Sequence, residues 1–65
     1  MARYRCCLLN EQDEVVRVEE LDSYDDPEAH RNVMDLMAKT GHFSGYELWR
    51  DGRKVDERKP VNPRT

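Results

Sequence analysis

Residues 46–55 read Tyr46-Glu47-Leu48-Trp49-Arg50-Asp51-Gly52-Arg53-Lys54-Val55, or YELWRDGRKV. The dipeptide Asp51-Gly52 decides the fold class. Two residues of this type between β-prone runs predict a hairpin with a type I′ turn, because both turn positions need positive φ. Such a turn sets the register. Arg50 faces Arg53, Trp49 faces Lys54, Leu48 faces Val55 and Glu47 faces Asp56. Side chains alternate across a strand, so Tyr46, Leu48 and Val55 share one face and Trp49 lies on the other with Lys54. Two of these pairs oppose like charges, which is mildly unfavourable.

Moving towards the N-terminus, His42-Phe43-Ser44-Gly45 is a connector, and residues 27–40 read as a helix. Asp25 or Asp26 can accept hydrogen bonds from free amides at its start, and Pro27 suits its first turn. Ala29, Val33, Leu36 and Met37 form a stripe at helical spacing, with Met34 on the flank. Gly41 fits the left-handed position after the last turn. Residues 3–9 and 15–21 alternate as strands around the polar loop Asn10-Glu11-Gln12-Asp13-Glu14. A five-residue loop puts Leu8 opposite Val16, Cys6 opposite Val18, Tyr4 opposite Glu20 and Arg5 opposite Glu19.

The order strand, strand, helix, strand, strand predicts an α+β fold. In it a four-stranded antiparallel sheet of ββαββ order carries one helix packed on one face. Residues 1–58 form this single domain and residues 59–65, with Pro60 and Pro63, a flexible C-terminal tail. The expected core is Tyr4, Cys6, Leu8, Val16, Val18, Ala29, Val33, Leu36, Met37, Tyr46, Leu48 and Val55.

A chain of 65 residues has a thin stability margin. Small scaffolds usually gain a staple from a disulfide, a metal or a second subunit. Charged residues make up 38% of the chain, above the usual quarter or so, which gives the small fold a solvated shell. No run of about 18 apolar residues is present, and the first residues carry no export signal. These features point to the cytoplasm, where a structural disulfide is disfavoured. The net charge of −3 argues against nucleic acid as the main partner. Acidic residues dominate between Asn10 and Glu28, and basic ones lead after Tyr46. This asymmetry bears on solubility and association, and not on chemistry.

Cys6 and Cys7 are adjacent in a strand, so their side chains diverge. Cys6 is expected to point into the core and Cys7 away from it. A metal site would need both cysteines with His30 or His42, at a spacing unlike that of common zinc sites. His30, early in the helix, and His42, just after it, read as surface residues. No nucleophile stands at a recognisable spacing from either, and no phosphate-binding loop is present. The expectation is a protein that is not an enzyme and has no cofactor, no metal and no small-molecule substrate.

By alternation the sheet face away from the helix carries Cys7, Leu9, Val15, Leu21 and Trp49. An apolar patch of that kind marks an interface more often than a cofactor site, and tryptophan is a common anchor of protein contacts. A homodimer or a protein partner is therefore expected there. The alternative is nucleic-acid or regulatory ligand binding through Trp49, Arg50, Arg53 and Lys54, with bases stacking on Trp49.

Three stretches, YRCCLL from Tyr4, DDPEA from Asp25 and YELWRDGRKV from Tyr46, together resemble a group of short uncharacterised bacterial proteins. In these a hairpin, an Asp-rich helix start and a Glu-Leu-Trp strand recur in that order. The first loop departs from the pattern, reading NEQDE where a turn glycine is expected. The resemblance implies a small cytoplasmic bacterial protein and transfers no catalytic residue and no substrate.

Overall fold

In the computed structural model, which describes residues 1–60, Asp51 and Gly52 take φ of 53° and 75°. This is the expected type I′ turn. It joins β3 (Gly45–Arg50) to β4 (Arg53–Arg58). Next to the turn the pairs are Trp49 with Lys54 and Arg50 with Arg53. Beyond Trp49 the register shifts at a bulge, and here the sequence expectation is corrected. Leu48 pairs with Asp56 instead of Val55, and Glu47 with Glu57 instead of Asp56. The bulge turns two successive β4 side chains towards the helix: Val55 packs against the core, and Asp56 meets Tyr46. Lys54 offsets the like-charge pair, lying 2.7 Å from Glu57 and 3.6 Å from Glu47.

The first hairpin joins β1 (Ala2–Leu9) to β2 (Val15–Ser23). Its loop has no glycine, and Asp13 supplies the positive φ of 65°. The Asn10 side chain accepts from the amides of Gln12 and Glu14 at 2.9 and 3.0 Å, which holds the loop closed. Pairing is displaced by one residue from the expected register. Tyr4 pairs with Leu21, Arg5 with Glu20, Cys6 with Glu19 and Cys7 with Val18. A one-residue slip moves a strand's side chains to the other face. Leu21 therefore packs against the core, while Val16 and Val18, expected inside, are 52% and 51% exposed. The slip follows from a bulge between Leu8 and Leu9, where Leu9 pairs with Val15 and Val16 is the extra residue.

The helix α1 (Asp26–Thr40) starts as its sequence dictates. Asp25 caps it, accepting from the Glu28 amide at 3.0 Å, and Glu28 reaches back to the Tyr24 amide at 2.7 Å. It ends where Gly41, at φ 65°, donates its amide to the Met37 carbonyl at 2.8 Å. Ala29 and Val33 are buried; Met34, Leu36 and Met37 pack around them. The strand order is β2-β1-β3-β4, all antiparallel, which makes β1 and β3 the central pair. The fold is the ββαββ α+β arrangement. Its buried core is Tyr4, Cys6, Leu8, Ala29, Val33, Tyr46 and Leu48.

Polar ties hold the helix to the sheet. The Tyr4 hydroxyl donates to Asp26 at 2.6 Å, and Arg50 lies over the Tyr4 ring at 5.5 Å. Asn32 donates to the fully buried Ser23 hydroxyl at 2.8 Å. Lys59, expected in the tail, pairs with Glu47 at 3.2 Å and Asp13 at 3.5 Å, and residues 61–65 of that tail lie outside the described residues.

Candidate interaction surface

The helix covers one face of the sheet, and no element among the described residues covers the other. Its centre is a row across three strands, in which Arg5 stands between Glu20 on β2 and Trp49 on β3. The next row sets Cys7 between Val18 and Glu47. Arg3, Arg5, Cys7, Glu20, Glu47 and Trp49 line an open depression of about 510 Å³. Trp49 forms one wall. Its ring carries the Lys54 ammonium 5.6 Å from the centroid, and its indole N–H donates to Glu47 at 3.4 Å. A hydrogen bond from Lys59, with Lys54 and Trp49 alongside, holds the Glu47 carboxyl below its usual range despite some burial. The floor is mixed: an aromatic face and a thiol among paired charges.

Of the five residues expected at the interface, Cys7 and Trp49 occupy this face and are half-buried. Val15 stands at the bulge, 52% exposed. Leu9 points to the same side but is buried, beside a Gly45 against which Pro60 packs. Leu21 lies on the helix face. Val18, paired with Cys7, reaches the open face through the slipped register, and Val16 at the bulge is 52% exposed.

The basic patch expected around Trp49 is divided by the sheet. Lys54 shares the open face with Trp49. Arg50 is drawn to the helix side, where it donates to the Tyr4 hydroxyl at 3.2 Å and lies 3.8 Å from Asp26. Arg53 pairs with Arg50 and shares its face.

Cys6 and Cys7 point to opposite faces, as the alternation predicted, and both are free thiols. Burial, reinforced by Cys7 and Glu19, pushes the Cys6 thiol up to about 12. Burial and Glu47 raise Cys7 as well, against a smaller pull from Arg5. At neutral pH both are protonated, so neither is a ready nucleophile or ligand.

A cluster on the other face escaped the sequence. His30 Nδ1 contacts Asp56 Oδ2, and the Tyr46 hydroxyl donates to the same oxygen at 2.8 Å and lies 3.1 Å from His30 Nδ1. The shared acceptor requires the proton on Nδ1. Burial raises the Asp56 carboxyl, but the hydrogen bonds from His30, Tyr46 and the Glu57 amide outweigh it and hold the group below its usual value. Three elements meet at this cluster, and it anchors the helix start over β3 and β4. Only the bulge brings Asp56 to that face, and no spacing in the sequence announces it.

Compared with protein-family models, curated proteins and solved structures, the chain finds no match. No helix among the described residues is long and apolar enough to cross a membrane.

Proposed function

We propose that this chain is a non-enzymatic interaction protein that self-associates through the open sheet face, with Trp49 as the anchor. The observation that carries the reading is the half-buried Trp49 beside Cys7 on a face that no element covers among the described residues. The charges around it are self-complementary, since Arg3 and Arg5 share the depression with Glu20 and Glu47. A second copy turned about a two-fold axis can therefore set cation against carboxylate. A scaffold this small gains stability from such a contact. The working compartment of this reading is the cytoplasm, where both thiols stay reduced and the contact is non-covalent.

The test is light scattering and native mass spectrometry under reducing conditions. Trp49→Ala is expected to weaken face-mediated association at least about tenfold, the scale of a truncated anchor residue. The melting temperature of dilute protein is expected to change little. Equal losses in association and in dilute-monomer stability would make Trp49 a folding residue and remove the reading.

A further inference from the structure

The sheet has two outer strands, and they are built differently. β4 has six residues with a bulge at Val55, and Pro60, which has no amide to donate, follows shortly after it. Its Lys54 and Glu57 pair with each other. These are features that blunt a strand edge. β2 has nine residues and no proline, its own bulge at Val16 lies at the loop end and leaves residues 17–23 in regular register, and β1 is its one strand neighbour among the described residues. Val15, Val16 and Val18 stand on it at 52%, 52% and 51% exposure. A long edge strand with exposed β-branched side chains is a template for strand addition.

We infer that β2 pairs antiparallel with β2 of a second copy, centred on Val18. This contact is separate from the one on the open face. Symmetry narrows the choice. Two copies of one edge can pair antiparallel only about a two-fold axis normal to the sheet, so a residue must face itself at the centre. Centring on Arg17, Glu19 or Glu20 opposes identical charges. Centring on Val18 opposes valine to valine and sets Arg17 against the partner's Glu19 on both sides of the axis. Opposite charges directly across a strand pair stabilise it, and like charges destabilise it. Arg17 and Glu19 already form an ion pair within the strand, so both side chains are held on one face of the edge.

The product is a continuous eight-stranded sheet with both helices on the same side. Trp49 lies two strands in from the joint, roughly 10 Å away, and takes no part in it. The axis normal to the sheet is perpendicular to one that stacks open faces. Where the two axes intersect, the two contacts together close a tetramer.

The experiment uses native mass spectrometry on the full chain, with circular dichroism to confirm folding. Arg17→Glu and Glu19→Arg are each expected to halve the wild-type assembly, because like charges then meet across the edge. Mixing these two variants is expected to restore it as a hetero-assembly, distinguishable by mass, because each supplies the charge the other lacks. That rescue cannot come from the pair within one strand, which stays broken in both chains. Val18→Lys provides a second disruption should either charge variant fold poorly.

Wild-type behaviour in all edge variants, with loss in Trp49→Ala, overturns the edge contact and leaves the face contact standing. An assembly lost in the edge variants but indifferent to Trp49→Ala supports the edge and removes the face. A monomer at every concentration removes both.

Discussion

The two cysteines show how one step along a strand changes chemistry. Cys6 is sealed in the core, whereas Cys7 lies half-open between Val18 and Glu47. Thiol reagents attack the thiolate, so reactivity follows access and pKa together. Cys7 is expected to label at neutral pH more slowly than a free cysteine, and Cys6 only when the protein unfolds. Mass-resolved maleimide labelling with and without urea checks this, and equal labelling of both in native protein would contradict it. Asp56 offers a second test. Its carboxyl titrates lower in the folded chain than in the unfolded one, so its contribution is present above the ordinary aspartate value and is lost as pH falls through the folded value. Melting temperature is expected to drop below about pH 4. Asp56→Asn is expected to cost stability at neutral pH and to flatten this drop, as read by thermal melts across pH. An unchanged slope would show that the hydrogen bonds from His30 and Tyr46 carry no linkage.

Elements were legible in proportion to how locally they are determined. The helix was readable from Asp25, Pro27 and Gly41 because caps act within a few residues of their targets. The Asp51-Gly52 turn was readable because positive φ is a property of those two residues. Neither register survived past its bulge. At Leu8/Leu9 the choice between burying Val16 with Val18 and burying Leu21 is settled by which side chain packs beside Tyr4 under the helix, and that contact spans the fold. At Val55 the alternation broke because both Val55 and Asp56 have partners on the helix side. The site inherited these errors. Cys7 and Trp49 were placed on the correct face, Leu21 was not, and the cluster of His30, Tyr46 and Asp56 was invisible without the second bulge.

For the whole molecule, the strand order has a consequence in time. Each hairpin pairs neighbours in the chain, but the central seam joins β1 to β3, and Arg5 meets Trp49 from near the other end of the described chain. Closing so long a loop costs entropy before any seam contact repays it. Hairpins and helix can form early and locally, and the folding barrier is then the docking of one hairpin on the other. Leu48→Val, in the seam opposite Cys6, is expected to slow refolding more than it speeds unfolding in stopped-flow urea jumps. Unchanged refolding with faster unfolding would put the seam after the barrier. Until the seam closes, β1 is itself an open edge lined by Tyr4, Cys6 and Leu8, the most apolar strand face of the sheet. The window for aggregation is therefore the interval between hairpin formation and docking, and it lengthens with every substitution that weakens the seam.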